Sequence, residues 1–467
     1  MVFSSAMFLF CFLPLVFLLY RLPFGPHYRN ILLAASSLIF YAFGQLHYVP
    51  LFLLSVFINY AAGLLLAGRF RGSRPVLAIA VILNIGILAA FKYTDFFLSN
   101  VNALTGAALP LPGLELPIGI SFFTFQGLSY TIDTFRDPDA GTRSFGKLLL
   151  YISFFPQLIA GPIVRWGDIS SQIDSRTCTP EQTAYGVRRF LFGLGKKLIL
   201  ADSVGYLADA VFSSVYGDFR LAWLGGICYT LQIYFDFSGY SDMAIGMGRM
   251  FGFTIKENFL FPYTASSMRD FWRKWHVSLS SWFREYLYFP LGGSRAGALR
   301  AALNRFLVFF CTGLWHGANW TFVAWGLGHG LLTVLEGSGI LPVDKLQKTA
   351  IGRFLCRIYT LLAVMLLFTI FRADSLTQGF RMIAAMFSFR AFSDALPLLS
   401  TLLTPASVLL IALALLLSGS PGRKLREVLV DEPCSPLLAN SLSILLLLLC
   451  ICSLAQGGFH PFIYFQF

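Results

Sequence analysis

Two histidines in apolar, tryptophan-rich surroundings are the strongest candidates for chemistry in this sequence. His276 lies in FWRKWHVSLSSWFREYLYFPLGG, and His316 lies in TGLWHGANWTFVAWGLGHG. An imidazole titrates near neutral pH, so a buried histidine suits general acid–base catalysis. The alternative is structural, because a histidine in such a segment also serves as a hydrogen-bonded link between helices. These residues taken by themselves leave both interpretations open.

The composition indicates that a lipid bilayer surrounds most of the chain. Of the 467 residues, 57% are hydrophobic and only 12% are charged, whereas soluble domains average roughly a quarter charged residues. Apolar runs long enough to cross a hydrocarbon core of about 30 Å recur throughout. The first of them, residues 3–20, lacks a basic start and a cleavage site, so we interpret it as a retained helix. We therefore predict an all-α polytopic membrane protein with roughly 10–12 transmembrane helices plus re-entrant or interfacial helices.

The charge distribution predicts the orientation of the chain in the bilayer. The formal net charge is +12, and the basic residues cluster in short loops such as 21–29, 69–74 and 423–426. This is the positive-inside pattern. It places both termini on the extracytoplasmic side, and it argues against nucleic acid as a partner. The eight cysteines form no CxxC pair, and neither a metal site nor a disulfide is needed to explain them.

Polar residues and helix breakers inside apolar segments are further candidates. Gln126 lies among aromatic residues, and residues 154–166 (FFPQLIAGPIVRW) contain two prolines and a glycine. Such a break predicts a re-entrant segment or a bent helix, with a surface loop as the alternative. Asp236 lies one helical turn from Gln232 and about 20 Å from Arg249 along a helix, near the bilayer middle. An acidic side chain at that depth is either a functional group or part of a polar cluster that ties helices together.

The two histidines are expected at different depths. Residues 269–295 carry five basic side chains and regularly spaced aromatic residues, which predicts one amphipathic helix in the cytoplasmic interface, with His276 on it. His316 follows Arg305 by 11 residues, about 16 Å along a helix and near the membrane middle. Its nearest polar neighbour is Asn319. His329 is 13 residues further on and is expected on a different helix face.

At these residues the sequence resembles a known family, the membrane-bound O-acyltransferases. The similarity is greatest to the bacterial branch that includes the membrane subunit of alginate O-acetylation. It rests on segments between 116 and 330, namely PIGISFFTFQGLSYTIDTFR, FFPQLIAGPIVRW, YFDFSGYSDMAIGMGRMFGF, NFLFPYTASSMRDFWRKWHVSLSSWFREYLYFPLGGSR and GLWHGANWTFVAWGLGHG. The resemblance implies a single transmembrane domain over 1–467, with N-terminal helices (1–115), a catalytic core (116–335) and C-terminal helices (336–467).

The resemblance also implies a reaction. An O-acyltransferase of the bacterial inner membrane would pass an acetyl group from cytoplasmic acetyl-CoA or another acyl thioester, through a central tunnel, to an extracytoplasmic acceptor. His316 would be the catalytic residue and His276 a second functional histidine. The partners would be a secreted or membrane-anchored SGNH-type acetyltransferase and a polysaccharide such as alginate, without a bound cofactor or metal. The candidate donor- or substrate-binding residues are Gln126, Asp236, Arg273, Lys274, Arg284, Trp315 and Asn319.

Four alternatives remain open from the sequence. Arg273, Lys274 and Arg284 suit the phosphates of a donor, but they suit lipid head groups equally well. The reaction is alternatively a D-alanyl-type transfer to teichoic acid. The chain is alternatively a transporter of an acyl donor or glycan that makes no bond, or a scaffold for a polymer-export complex.

Overall fold

Helices account for all the regular secondary structure that the computed structural model describes, which covers residues 1–214, 217–295, 297–433, 435–455 and 461–463. The predicted all-α class is confirmed. The chain forms two compact units. One contains Met1–Phe190 and Met243–Lys256, and the other contains Leu191–Asp242 and Glu257–Phe467. The predicted single domain with three sections stays a prediction.

Four helical stretches of the described chain are long and apolar enough to cross a membrane: Pro26–Ala67, Arg74–Lys92, Ala350–Arg372 and Pro436–Ala455. Ser393–Leu402 and Pro405–Leu417 form a pair bent by 72° that makes a fifth if it is one span. The predicted count of roughly 10–12 spans is higher than the four or five that the described helices give by length and composition. Hydropathy detects an apolar run, but it does not show the residue at which a helix within that run ends.

The first unit is built from nine helices and the ends of two longer ones. The nine are α1 (Leu13–Tyr20), α2 (Pro26–Gln45), α3 (Val49–Ala67), α4 (Arg74–Lys92), α5 (Thr94–Thr105), α6 (Ile120–Arg136), α7 (Phe145–Ser153), α8 (Phe155–Leu158) and α9 (Trp166–Asp174). The two longer helices, α10 (Pro180–Gly195) and α12 (Phe219–Met250), contribute residues to both units.

A buried amide cluster joins α3, α4 and α6. Asn59 and Asn84 exchange hydrogen bonds of 2.9 and 3.2 Å, and Thr131 Oγ1 donates to Asn59 Oδ1 at 2.8 Å. The helices approach closely here because residue 127 is glycine. A Cβ atom at Gly127 would lie 2.3 Å from the Asn59 amide nitrogen.

The proline- and glycine-broken segment is buried. Every residue from 151 to 164 is buried, and α8 is a single turn within it. Tyr151 donates to the Val164 carbonyl at 2.9 Å, and the Gln157 amide donates to the Tyr151 carbonyl at 2.7 Å. These bonds satisfy part of the freed backbone, as a helix break inside a membrane protein requires. The surface-loop alternative is therefore wrong.

The second unit contains the remaining helices. They are α11 (Asp202–Phe212), α13 (Met268–Lys274), α14 (Val277–Phe283), α15 (Ala298–His316), α16 (Trp320–Gly337), α17 (Val343–Leu346), α18 (Ala350–Arg372), α19 (Leu376–Met386), α20 (Leu396–Leu402), α21 (Pro405–Leu417), α22 (Ser420–Arg426) and α23 (Pro436–Ala455). Short π-helical turns cover Phe8–Phe12 in the first unit and Lys196–Ala201, Arg284–Tyr288 and Glu427–Asp431 in the second. Turns of 3-10 helix cover Leu46–Tyr48, Pro138–Ala140, Pro262–Thr264 and Ser393–Ala395.

Two lysines of the second unit depart from the positive-inside pattern. Lys196 and Lys197 lie in a π-helical turn and are 8% and 2% exposed. Lys196 pairs with Asp242 at 2.7 Å, and Lys197 bridges Asp236 and Asp202 at 2.6 and 2.7 Å. Their charges therefore link helices inside the unit, and they do not mark a cytoplasmic loop.

The close approach at the amide cluster gives a stability prediction. We expect Gly127→Ala to destabilise the fold by about 1–3 kcal/mol, because the new methyl group overpacks the contact with Asn59. A matched control is Gly86→Ala on α4, where a Cβ meets nothing within 4 Å. That change should be neutral or slightly stabilising, since alanine favours helix. Thermal unfolding of the purified variants measures both effects, and equal melting temperatures would contradict the cluster's role.

Candidate active site

The segment around His276 is two helices with a sharp break between them. α13 ends at Lys274, α14 begins at Val277, and His276 itself adopts a left-handed conformation with φ 43°. Left-handed backbone is unfavourable for a residue with a side chain, so it persists only where the surroundings hold it. His276 is also fully buried. The predicted continuous interfacial helix is therefore wrong, and the break directs the imidazole into the interior.

The carboxylate of Glu336 fixes the start of this segment. Its two oxygens accept hydrogen bonds from the backbone N–H groups of Met268 and Arg269, at 2.7 and 3.2 Å. Ser267 caps the same helix by accepting from the Asp270 N–H. The first N–H groups of a helix have no partner within the helix. Glu336 lies on α16 and is only 3% exposed, so it holds α13 against α16 at a buried position.

Hydrogen bonds define the tautomer of His276. Asn258 Oδ1 accepts from the Ser278 N–H at 3.1 Å and lies 3.2 Å from His276 Nδ1. Because this oxygen is an acceptor, Nδ1 carries the imidazole proton, and Nε2 carries the basic lone pair. Burial lowers the pKa of His276 to about 3. The ring is therefore neutral at physiological pH.

His316 is the last residue of α15, and the chain turns extended at Gly317. The helix ends deep in the packing of α15 on α16. A Cβ at Gly313 would lie 2.4 Å from the Phe322 carbonyl oxygen, and one at Gly326 would lie 2.4 Å from the Phe309 carbonyl oxygen. The C-terminal end of a helix carries partial negative charge. It therefore stabilises the positive charge that an imidazole acquires when it takes up a proton.

Aromatic rings connect three histidines in one row. The Trp315 ring centroid lies 5.9 Å from that of His276 and 5.0 Å from that of His316. The Trp325 ring lies 5.0 Å from His316 and 4.9 Å from His329. We call His276, Trp315, His316, Trp325 and His329 the histidine row. All five are at most 4% exposed.

His329 belongs to the row, although it was not among the site residues predicted from the sequence. The break at residues 317–319 ends α15 and starts α16, so helical angles counted from His316 do not apply to His329. The two histidines lie on different helices, and both contact Trp325. His329 Nδ1 accepts a hydrogen bond of 3.2 Å from the Trp272 indole N–H. Its proton therefore resides on Nε2. The only sequence signal was a third histidine in the same tryptophan-rich segment.

A basic cavity of about 340 Å³ lies beside the row. We call it the arginine cavity, and its walls include Arg273, Arg284 and Arg305. In the described part of the chain none of these three has a carboxylate within 4 Å. Trp272, whose indole N–H binds His329, lines the cavity as well. The cavity therefore offers positive charge next to the histidine row.

A fourth arginine in the cavity wall, Arg269, is already paired with carboxylates. Arg269 lies 3.5 Å from Glu336 and 2.7 Å from Asp344. Its hydrogen bond is the main cause of the lowered pKa of Asp344. Arg269 thus stabilises the fold of the segment, and Arg273, Arg284 and Arg305 remain for an anionic ligand.

Other predicted site residues have structural partners. Lys274 pairs with Asp270 at 2.9 Å. Asn319 caps α16 by accepting from the Thr321 N–H at 3.1 Å. Asp236 binds Lys197 through one oxygen and the Ile463 N–H through the other, at 2.6 and 2.9 Å. This arrangement matches the polar-cluster alternative for Asp236.

Gln126 lies in the first unit, on α6. It is fully buried, and neither of its side-chain amide atoms has a hydrogen-bond partner among the described residues. A buried amide without partners is uncommon in native structures. Gln126 therefore remains a candidate for contact with a ligand.

Comparison with known proteins identifies the family. A model described as "MBOAT, membrane-bound O-acyltransferase family" matches residues 44–341. The chain is 38% identical to "Probable alginate O-acetylase AlgI" of Azotobacter vinelandii over a 505-residue alignment, and to the protein of that name in Pseudomonas putida over 490 residues, with full coverage of all chains. It is 35% identical to "Peptidoglycan O-acetyltransferase" of Helicobacter pylori over 427 residues, which covers 84% of this chain and 81% of that one. The chain belongs to the membrane-bound O-acyltransferase family.

Membership confirms two predictions. The chain is an O-acyltransferase, and it is a multi-pass membrane protein, as its apolar helices also indicate. The matched region contains the whole histidine row and the three cavity arginines. The roles of the individual residues in acyl transfer stay predictions.

The bond between His276 and Asn258 gives a kinetic prediction. We expect Asn258→Ala to lower kcat on the order of 10- to 100-fold, because the imidazole loses the acceptor that fixes its tautomer and angle. The KM for the acyl donor should change little. Asn258→Asp keeps acceptor oxygens at this position and should retain more activity than Asn258→Ala. Identical kinetics of the two variants, measured on folded protein, would contradict the orienting role.

Proposed function

We propose that this chain transfers an acetyl group from a cytoplasmic thioester, across the bacterial inner membrane, to an extracytoplasmic acceptor. The final product is an O-acetylated exopolysaccharide such as alginate. The observation that carries the proposal is the buried histidine row beside the arginine cavity, which joins proton-transfer groups to a site for an anionic donor. Full-length similarity to two proteins named alginate O-acetylase supports an acetyl group and a polysaccharide.

The reaction breaks a carbon–sulfur bond and forms a carbon–oxygen bond. His316 takes the proton from the acceptor hydroxyl as its oxygen attacks the thioester carbonyl. The same proton then neutralises the departing thiolate, so no other reactant is consumed. General base catalysis by one side chain typically contributes roughly 10²- to 10⁴-fold. His276 presents the Nε2 lone pair in the same row and helps to orient the acceptor hydroxyl.

The donor binds in the arginine cavity. Arg273, Arg284 and Arg305 attract the phosphates of a donor such as acetyl-CoA, since guanidinium groups match phosphate geometry. A volume of about 340 Å³ is too small for the whole of such a donor, so its remainder extends out of the cavity. Trp272 and Phe309 form an apolar wall through which the cavity adjoins the histidine row.

The acceptor approaches from the end of the second unit that is opposite the arginine cavity. The lining of a cavity of about 560 Å³ there combines apolar residues with the hydroxyl groups of serine and threonine, Gln378, Arg381 and Arg390. It lies near the end of α18, whereas Arg269 of the arginine cavity pairs with Asp344 just before α18 begins. The 23 residues of α18 span about 34 Å. By the positive-inside pattern both termini are extracytoplasmic, and the partner is an SGNH-type acetyltransferase that passes the acetyl group to the polysaccharide.

The catalytic role is tested with His316→Ala. We expect polysaccharide acetylation to fall on the order of 10²- to 10⁴-fold at unchanged protein level, because the general base is lost. His27→Ala, at an exposed position, is the matched control and should acetylate normally. Full acetylation by His316→Ala would remove this residue from the mechanism.

The same variant separates transfer from transport. Labelled acetyl-CoA is supplied on one face of proteoliposomes, and the label is followed as intact donor or as released acetyl. Acyl transfer predicts that the acetyl group leaves CoA in the wild-type protein and not in His316→Ala. Intact donor crossing the bilayer would favour a transporter instead.

The donor site is tested with Arg273→Gln and Arg284→Gln. We expect each to raise the KM for the thioester donor about 10-fold, as for a charge-assisted hydrogen bond worth roughly 1.5–3 kcal/mol, with a smaller change in kcat. Arg300→Gln alters an exposed arginine outside the cavity and should leave KM unchanged. If all three variants behave alike, the arginine cavity is not the donor site.

A further inference from the structure

An apolar groove in the second unit has no role in the proposed reaction. It has a volume of about 400 Å³, and residues from α21, α22, α23 and the π-helical turn Lys196–Ala201 line it. We call it the leucine groove, because its walls are mainly leucines, among them Leu413, Leu425, Leu429, Leu446 and Leu449. Lys196 is the one charged residue among the described residues that line it, and Asp242 neutralises it at 2.7 Å. The interior of the groove therefore suits hydrocarbon.

The helix α22, which we call the basic edge, bounds the leucine groove and carries cationic side chains next to the residues that line it. Gly422 and Leu425 line the groove, and the exposed residues Arg423 and Lys424 lie between them on α22. Arg423 pairs with Glu427 at 3.7 Å where both side chains are more than half exposed. Lys424 has no carboxylate within 4 Å among the described residues. Cationic side chains on the helix that bounds an apolar interior match a ligand with an anionic head and a hydrocarbon tail.

We propose that the leucine groove binds an anionic phospholipid. One acyl chain lies between the leucines of α21 and α23, and the phosphate lies against Lys424 and Arg423. A neutral lipid would satisfy the apolar walls but would leave the basic edge without a partner. Free phosphate would satisfy the edge but would leave the groove empty.

The groove is linked to His276 through one short segment. Phe261 lines the groove, and the Arg426 guanidinium lies over its ring at 5.4 Å. Arg426 also binds Glu257 at 3.4 Å. Asn258, the next residue along the chain, holds His276 and accepts the Val277 N–H at 3.0 Å.

The conformation of this segment depends on its surroundings. Phe261 adopts a left-handed backbone with φ 52°, which is unfavourable for a non-glycine residue. Such a conformation persists only where neighbouring groups hold it. A lipid chain against Phe261 supplies that support on the groove side. Occupancy by an anionic phospholipid therefore keeps Asn258, and with it His276, in position and raises the activity of the enzyme.

Lipid binding is measured directly on the full chain. Detergent-solubilised, purified protein is incubated with equal amounts of phosphatidylglycerol and phosphatidylcholine. Native mass spectrometry then records which lipid remains bound. We expect about 10-fold preference for phosphatidylglycerol. Lys424→Glu should abolish the preference, and Leu446→Trp, which fills the groove, should abolish retention. Lys348→Glu reverses an exposed lysine outside the groove and should behave as the wild-type protein.

Activity gives the second measurement, and it alone rests on the proposed function. Acetyl transfer should be about 5- to 10-fold faster in vesicles with phosphatidylglycerol than in pure phosphatidylcholine, and Lys424→Glu should lose this difference. Equal retention of both lipids, retention by Leu446→Trp, or equal activation by inorganic phosphate in phosphatidylcholine vesicles would overturn the lipid site. Selective retention without acetyl transfer in any lipid would support the site and refute the proposed function.

Discussion

Backbone groups at broken helices have no water to bind inside a membrane protein, and this constraint organises the candidate site. The break at His276 exposes the start of α14, and the break at His316 exposes the end of α15 and the start of α16. Side chains take the place of water at two nearby helix starts. Glu336 accepts the first N–H groups of α13, and Asn319 caps α16. The polar residues that satisfy the backbone are thus the same ones that determine where the histidines lie.

A buried polar side chain that satisfies backbone groups at a helix break contributes more to positioning than to stability. A buried carboxylate such as Glu336 costs free energy to desolvate, and its hydrogen bonds offset that cost only in the correct geometry. The same holds for Asn258, whose single oxygen serves the Ser278 N–H and His276 together. Because Asn258 is shared between a backbone group and His276, the fold and the site are stabilised jointly at this residue.

The sequence predicted the helical class and the family, because these depend on composition and on local motifs. It also singled out His276 and His316, which the structure places in one row with His329. It did not predict the break that places His276 in the interior, since aromatic and basic residues at helical spacing are equally typical of one interfacial helix. It also missed the contact of His329 with Trp325. Helical periodicity cannot be extended past Gly317, where the chain turns extended. Nor does the sequence reveal that Lys196 and Lys197 are interior, which only their carboxylate partners show.

The burial of the histidine row limits one side reaction, the hydrolysis of the acyl donor. Thioesters hydrolyse when a base activates water near them, and a histidine that activates an acceptor hydroxyl would activate water equally well. The five side chains of the row are at most 4% exposed, and rings of Phe237 and Phe371 cover its histidines from the sides. Bulk water therefore has little access to the imidazoles of the row. In the proposed reaction, the aromatic packing suppresses wasteful hydrolysis and conserves activated acetyl groups for the polymer.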